Sequence, residues 1–413
     1  MLSHIPFPAL PAPPSWYPGH MDKFARMLPA LLRRTDVVLE LRDSRLPLTS
    51  INETLEGAVQ KWRRERGRVL AANGLPAPVA YSTSTPCERI VVFNKRDLVP
   101  EWGLEPFRRA MLSKFPDQRF FFASWHRPRD IKTLNEMLVS IAKEHPHAPE
   151  LNVLVVGMPN VGKSTLLNAL RNIGIPGPTA KALRTSSQPG LTRAISTRLK
   201  LSIDPLVYAY DSPGVMLPFL GRGERGAERG VKLALIAGIK EGLYDVETLA
   251  AYLLYRLNVL NPRSPAYLQL LPEGATATAD VLVFLEQLAT RLGMLKRGGE
   301  RDVSRAATWF VKWWRDEGGL KSASVPLSSS PQVQERQGWG FDFEWTVDKL
   351  VDEEPPAMVQ RKMEECIDRY VAGREDAERR GAGVSSTQEK KKARDEKIAK
   401  RMAKTRARFS GKR

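Results

Sequence analysis

One stretch, residues 152–167, constrains the fold of this chain more than any other. It has the sequence NVLVVGMPNVGKSTLL, an apolar run followed by a glycine-bounded loop and the start of an amphipathic helix. Gly157, Gly162, Lys163 and Ser164 fit the pattern G-x-x-x-x-G-K-[ST], in which backbone N–H groups surround phosphates, the lysine reaches the β- and γ-phosphates and the hydroxyl binds magnesium. The sequence therefore predicts a P-loop between a buried strand and a helix N-terminus.

The rest of this loop is expected to contact the same nucleotide, because a P-loop surrounds phosphates with consecutive backbone N–H groups. We assign to nucleotide binding the following residues: Pro159, Asn160, Val161, Gly162, Lys163, Ser164 and Thr165.

A second hydrophobic segment, residues 206–214, ends in Asp-x-x-Gly. Its sequence, LVYAYDSPG, is typical of a strand whose terminal aspartate reaches the magnesium ion of a nucleotide, often through water. We therefore predict that Ser164 and Asp211 form a magnesium site and that Gly214 contacts the nucleotide.

A third segment, residues 89–97, indicates which base is bound. It has the sequence RIVVFNKRD, a strand that ends in Asn94, Lys95 and Asp97. The Asp97 carboxylate can accept hydrogen bonds from N1–H and the exocyclic amine of guanine, and a site that contains such a buried acceptor rejects a base without that donor edge. Guanine is the predicted base.

The order of these segments predicts a circular permutation. The guanine segment precedes the P-loop in the chain, although the same sheet can form from a chain cut at another surface point. We therefore expect an α/β fold: a circularly permuted P-loop GTPase domain, followed by a smaller helical domain and a basic C-terminal extension.

The chain resembles the permuted ribosome-assembly GTPases of the YlqF/RbgA type, including the mitochondrial ribosome-associated GTPases, over about residues 16–320. The matching segments are WYPGHMDK at 16–23, LRDSRLPLTS at 41–50, NKRD at 94–97, GMPNVGKS at 157–164, QPGLTR at 188–193 and DSPGV at 211–215. The resemblance implies GTP hydrolysis with Mg²⁺ and an activating K⁺. It implies as partners GTP, GDP, the large ribosomal subunit, its rRNA and its ribosomal proteins.

The residue after Asp-x-x-Gly is Val215, where many GTPases have a glutamine that orients water. The resemblance assigns that task to His20, with Val215 as a wall that excludes water, and assigns K⁺ to Asn160. Two alternatives stay open at this point: His20 could be a structural or surface histidine, and Asn160 could simply form a turn.

Two further assignments depend on position alone. Ala123 and Ser124 follow a hydrophobic strand, where backbone N–H groups commonly approach guanine O6, although the match is loose. Thr192 follows a Pro-Gly-x pattern and is the candidate second magnesium ligand. Its alternative is an ordinary loop threonine.

Charge indicates an anionic partner. The chain carries 64 Lys and Arg against 46 Asp and Glu, a net charge of +18, and this excess favours a nucleic acid. The two cysteines, Cys87 and Cys366, lack metal-ligand spacing, which argues against zinc and disulfides. No apolar run reaches the ~18 residues of a membrane span, so we expect a soluble or peripheral protein.

A length of 413 residues exceeds one hydrophobic core. Within 387–413, twelve Lys and Arg face three acids, as expected for a nucleic-acid arm or, alternatively, a solvated tail. The predicted divisions are an N-terminal extension at 1–15, the GTPase domain at 16–225 with a basic surface insertion at about 51–86, a helical domain at 226–320, a linker and helical extension at 321–386, and a basic tail at 387–413.

Two features have both a structural and an RNA-binding interpretation. The basic segment KWRRERGR at 61–68 could contact RNA or form a solvated helix face. Trp309, Trp313 and Trp314 lie at helical spacing and could pack in the core or stack on rRNA bases.

The sequence leaves other functions and locations open. A nucleotide-dependent binding switch with negligible turnover and a P-loop enzyme that modifies tRNA are the alternatives to an assembly GTPase. For location we expect the mitochondrial matrix, with peripheral association at the inner-membrane face, and bacterial cytoplasm is the alternative. We expect a monomer away from the ribosome.

Replacing the guanine acceptor tests the base assignment. Asp97→Asn introduces an amide opposite the guanine donors, so GTP affinity should fall by several kcal/mol, or preference should shift towards xanthine nucleotides. Titration with GTP and XTP measures both effects. Unchanged GTP binding would contradict the assignment.

Overall fold

A computed structural model describes most of the chain. The described residues are 2, 4–14, 16–72, 86–177, 182–183, 185, 190, 192, 194–262, 264–317, 336–346, 355–379, 394, 397 and 401–402. The predicted basic tail lies outside them except for four positions, as do residues 73–85 of the predicted insertion and most of the predicted linker.

A six-stranded sheet forms the centre of the GTPase domain, with strand order β3-β2-β1-β4-β6-β5. All neighbouring pairs are parallel except β5 with β6. The three strands that precede the P-loop strand β4 all lie on one side of it, which confirms the permuted arrangement. The strands are β1 (Val37–Asp43), β2 (Glu88–Asn94), β3 (Arg119–Phe122), β4 (Leu151–Gly157), β5 (Leu199–Ser202) and β6 (Val207–Asp211).

Helices cover both faces of this sheet, which is why its central parallel strands β1 and β4 are buried almost throughout. They are α1 (Gly19–Leu32), α2 (Glu53–Ala72), α3 (Leu104–Lys114), α4 (Pro128–Glu144) and α5 (Lys163–Gly174). Val38 and Leu154 pack with α1 and α2, whereas Val37 and Val153 belong to the cluster that contains α4 and α5. This split follows from the alternation of side chains along a strand.

The first part of the predicted insertion belongs to the core, so its description as a surface insertion is wrong there. Leu55, Val59 and Trp62 of α2 are buried at 4% exposure or less. Their spacing of three and four residues places them on one face of the helix, against α1 and the sheet. Lys61 and Arg64 of the same helix are exposed.

Two charged residues of β1, Glu40 and Arg42, are also buried. Glu40 accepts hydrogen bonds from Arg42 Nε at 2.7 Å and from Arg89 of β2 at 2.5 Å. Burial alone would raise the pKa of Glu40, but the two arginine charges outweigh it and lower the pKa to about 2. These ion pairs therefore stabilise the fold above the ordinary pKa of 4.5, and this contribution is lost as the pH falls towards 2.

The second domain is helical, as predicted. It consists of α6 (Gly223–Leu235), α7 (Val246–Leu260), a short 3₁₀ helix (Ala266–Leu270), α8 (Val281–Arg291) and α9 (Val303–Glu317). Trp314 is fully buried and Trp313 is 6% exposed. These two tryptophans therefore pack in the core, while Trp309 is half-buried. No helix in the described ranges is long and apolar enough to span a bilayer.

The C-terminal extension contains a hairpin that the sequence analysis missed, formed by β7 (Arg336–Trp339) and β8 (Phe343–Thr346). Trp339 is fully buried, and its Nε1 donates to the carbonyl of Pro100 at 3.0 Å. Asp342, at the turn, accepts from the backbone N–H groups of Leu48 and Thr49 at 2.9 and 2.7 Å. The hairpin thus belongs to the folded body instead of a linker.

A last helix, α10 (Pro355–Arg379), confirms the predicted helical extension and packs against α3. Met363 and Ile367 are buried at this contact, and Lys114 of α3 pairs with Asp368 at 2.7 Å. Both cysteines are free thiols.

Removing the buried indole tests whether the hairpin is docked. Trp339→Ala should lower the free energy of unfolding by about 3–5 kcal/mol, the usual range for deleting a buried tryptophan side chain. Urea denaturation followed by circular dichroism measures the loss. The matched control is Trp309→Ala, whose half-exposed ring should matter less. Equal stability of the Trp339→Ala variant and the wild type would show that the hairpin is undocked in solution.

Candidate functional site: a guanine-nucleotide cavity

A cavity of about 690 Å³ lies at the carboxyl ends of β2, β4 and β6, the usual position of ligands in an open α/β sheet. Its walls come from both domains. They are formed by Arg45, Lys95, Asp97, Leu98, Trp125, His126, Pro159, Asn160, Gly162, Lys163, Ser164, Thr165, Thr185, Gly190, Thr192, Gly214, Ile236, Ala237, Glu241, Thr308, Lys312, Arg315 and Asp316.

The P-loop has the backbone that its glycines predict. Gly162 caps the N-terminus of α5 with φ of 93°, a left-handed conformation that side chains disfavour. Gly214 lies so close to the loop that a Cβ there would be 2.6 Å from Pro159 Cα. Lys163 Nζ donates to the carbonyl of Met158 at 2.8 Å, and burial lowers the pKa of Lys163 to about 8. The loop therefore presents a buried amine and a helix N-terminus to the cavity.

The predicted magnesium ligands lie together. Ser164 Oγ donates to Asp211 Oδ2 at 2.5 Å. Asp211 Oδ1 is also buried, and no hydrogen-bond donor from the described part of the chain reaches it. Burial raises the pKa of Asp211 despite the nearby charge of Lys163. A buried carboxylate oxygen without a donor, beside a hydroxyl, fits a hard cation such as Mg²⁺.

Thr192 lines the same cavity. Among described residues, no group of three or more His, Cys, Asp or Glu side chains forms a metal cluster. Mg²⁺ commonly takes only one or two ligands from a protein and the others from phosphate and water. Bound there, the ion would neutralise charge on the phosphates.

The guanine segment contacts the P-loop directly. Asn94 Nδ2 donates to the carbonyl of Val161 at 2.8 Å, and Lys95 Nζ donates to that of Asn160 at 2.9 Å. Asp97 is half-buried and lines the cavity. Asn94 and Lys95 thus hold the loop, whereas Asp97 is available to the base. Val161 is itself fully buried and does not line the cavity.

The geometry does not support Ala123 and Ser124 as guanine O6 contacts. The N–H of Ala123 donates to Phe93, that of Ser124 donates to the Asp130 carboxylate, and neither residue lines the cavity. The next two residues, Trp125 and His126, line it instead. Two aromatic residues three and four positions after the end of β3 were the signal that the sequence analysis passed over.

His20 lies in the first turn of α1, close to Gly190, whose added Cβ would be 3.9 Å from the imidazole Cε1. It therefore borders a residue of the cavity wall, while the wall itself does not include it. Val215 is fully buried among α1, α2 and the sheet, so it too lies behind the cavity. Their catalytic roles stay predictions.

The helical domain supplies part of the cavity wall, through α9 and the residues that follow α6. Asn160 of the P-loop donates from Nδ2 to the carbonyl of Ile236, at the end of α6, at 3.1 Å. No local sequence pattern could have predicted these contacts, because they bring together residues 76 positions apart.

Comparison with known proteins agrees with this geometry. Residues 152–256 match the family described as 50S ribosome-binding GTPase. Mitochondrial GTPase 1 of Schizosaccharomyces pombe is 30% identical over 309 residues, which cover 73% of this chain and 87% of that protein. The chain belongs to the mitochondrial GTPase 1 family. Mitochondrial ribosome-associated GTPase 1 of Mus musculus is 30% identical over 248 residues, covering 59% of this chain and 66% of that protein.

Among solved structures, GNP-bound YlqF from T. maritima aligns with a TM-score of 0.43 at 20% identity, over 73% of this chain and 96% of that one. Membership of the mitochondrial GTPase 1 family makes the chain a GTP hydrolase.

The predicted magnesium site can be tested through the effect of Mg²⁺ on GTP affinity. Asp211→Asn keeps the size and one oxygen of the side chain but removes its charge, so the gain in GTP affinity caused by Mg²⁺ should shrink by about tenfold or more. A titration with a fluorescent GTP analogue, in Mg²⁺ and in EDTA, measures that gain. Asp117→Asn, an exposed carboxylate away from the cavity, is the control. An unchanged Mg²⁺ dependence would remove Asp211 from the site.

Proposed function

We propose that this GTPase is an assembly factor for the mitochondrial large ribosomal subunit. It binds the subunit precursor, contacts rRNA and ribosomal proteins, and couples GTP hydrolysis to maturation or release. One observation carries the proposal: the helical domain forms part of the nucleotide cavity, and its Ile236 is bonded to the P-loop. The nucleotide is thus adjacent to a second domain that can present a binding surface.

Coupling requires that the nucleotide states differ in affinity for the particle, since a ligand shifts an equilibrium only by its differential affinity. A bound γ-phosphate would be held by the P-loop and the Asp211 loop, since Lys163, Ser164 and Gly214 line the same cavity. Gly214 of that loop is packed on Pro159, and the chain then continues directly into α6. Loss of the γ-phosphate on hydrolysis would therefore change the contacts of the segment that joins the GTPase domain to the helical domain.

Contact with rRNA is supported by charge. The net charge of +18 favours phosphate, and each neutralised phosphate adds to affinity by releasing counterions. Exposed Lys61 and Arg64 of α2 carry part of this charge in the described chain, and the tail at 387–413 carries much of the rest.

For hydrolysis we propose that His20 positions the attacking water, since a neutral imidazole can do so near pH 7. Thr192 is proposed as the second Mg²⁺ ligand. K⁺ is proposed to bind the amide oxygen of Asn160, whose amide nitrogen is occupied by Ile236, and would stabilise charge that develops on the phosphates. Val215 keeps its proposed role of excluding water.

Location follows the names of relatives. Those from S. pombe and Mus musculus are called mitochondrial, and the latter ribosome-associated. We propose the mitochondrial matrix, at the inner-membrane face, and a monomer away from the ribosome.

Co-sedimentation with large-subunit precursors from mitochondria tests the function. Protein loaded with a non-hydrolysable GTP analogue should pellet with the particles, whereas GDP-loaded protein should stay in the supernatant. With GTP in potassium buffer, the wild type should leave the particles. The His20→Ala variant should stay bound because its turnover is expected to fall roughly 10²-fold. Mature subunits are the control, and equal retention in all nucleotide states would contradict the proposal.

A further inference from the structure

A closed path of polar contacts joins the two domains beside the nucleotide cavity. We call it the polar ring, and it consists of Lys95, Asp43, Arg45, Arg315, the end of α6 at residues 234–236, and Asn160. Most of its members also line the cavity. Neither the P-loop pattern nor the guanine pattern requires such a path.

The first half of the polar ring lies in the GTPase domain. Lys95 Nζ donates to the Asn160 carbonyl and is 3.2 Å from Asp43 Oδ2. Arg45 bonds both oxygens of Asp43, from Nε at 2.9 Å and from one terminal nitrogen at 2.8 Å. The single carboxylate of Asp43 therefore connects the guanine segment to Arg45.

The second half crosses to the helical domain and returns. The other terminal nitrogen of Arg45 donates to the Arg315 carbonyl in α9 at 3.2 Å, and its guanidinium lies 4.8 Å from the Trp314 ring centroid. The Arg315 side chain donates to the carbonyls of Ala234 and Leu235 at 2.9 and 2.6 Å. The next carbonyl of α6, that of Ile236, accepts from Asn160 and closes the ring.

The contacts from Arg315 and Asn160 are explained by the position of their acceptors at the end of a helix. The last carbonyls of a helix lack partners within it and carry partial negative charge. Arg315 and the Asn160 amide supply hydrogen bonds to those carbonyls. Arg315 therefore fixes the end of α6 that in turn holds the P-loop.

Backbone strain lies on both sides of that contact. Asn160 has φ of 58° and Ala237 has φ of 54°, left-handed conformations that non-glycine residues rarely adopt. Such conformations persist only where surrounding contacts hold them. Loosening the polar ring would release the P-loop residue that lies between Lys95 and Ile236.

We propose that Arg45 is a positioning residue for GTP turnover. By holding α9 and Asp43 together, Arg45 fixes the end of α6 and thereby the conformation of Asn160 beside the phosphates. Each of its three side-chain nitrogens donates one hydrogen bond within the ring, and we assign its effect to Asn160 rather than to contact with the nucleotide. This role concerns the isolated GTPase and does not depend on ribosome binding.

A double-mutant cycle tests the proposal with the full-length chain, GTP and Mg²⁺, without ribosomal particles. Arg45→Lys keeps the charge but cannot reproduce the planar three-point contact, so kcat/KM should fall about tenfold while the unfolding temperature stays near that of the wild type. Asn160→Ala should lower kcat/KM as well. If Arg45 acts through Asn160, the double variant should be no slower than Asn160→Ala alone.

The matched control is Arg256→Met. Arg256 is also buried, pairs with Glu344 at 2.6 Å and lies over Phe341, but it is outside the polar ring. The turnover of the Arg256→Met variant should equal that of the wild type at temperatures where the variant is folded. Multiplicative losses from Arg45→Lys and Asn160→Ala, or wild-type turnover of Arg45→Lys, would overturn the proposal. Absence of particle binding in the sedimentation experiment would leave this result unaffected.

Discussion

The fully buried carboxylate of Asp43 is the contact on which the arrangement of the two domains depends. Burial would raise its pKa, yet the charges of Arg45 and Lys95 hold the pKa below the ordinary range. Removing one partner from such a buried pair typically costs about 3–5 kcal/mol, because an uncompensated charge is left behind. One ionised group therefore secures the guanine segment on one side and the helical domain on the other.

The sequence predicted much of the nucleotide site because its chemistry is local. A P-loop needs glycines, a lysine and a hydroxyl within eight residues, so Gly157 to Ser164 can be recognised without knowing the fold. The permutation followed from the order of three segments, and the sheet order confirms it. The α/β class of the first domain and the helical class of the second could be predicted for the same reason, since buried strands and amphipathic helices are each encoded by a short periodic pattern.

What the sequence did not predict depends on contacts between distant residues. The cavity wall contributed by Arg315 and the docking of Trp339 on Pro100 join segments far apart in the chain, and nothing near either residue specifies its partner. The hairpin strands have only four residues each and follow a polar segment, so their alternation of large apolar residues was too short to stand out. The geometry does not support Ala123 and Ser124 as base contacts, because strand position alone does not say which N–H groups the fold already uses.

The position of the hairpin has a consequence for how the chain acquires its structure during synthesis. The amides of Leu48 and Thr49 follow the first strand of the sheet, but their acceptor, Asp342, is 294 and 293 residues later. A nascent chain with a finished P-loop and guanine segment must leave both amides to water until almost five-sixths of the protein has been translated. Contacts of such long range form slowly because the intervening chain must first be ordered. The loop after β1 therefore acquires its native hydrogen bonds only after the C-terminal segment has been synthesised. A GTPase domain whose translation is incomplete differs from a finished one in this loop.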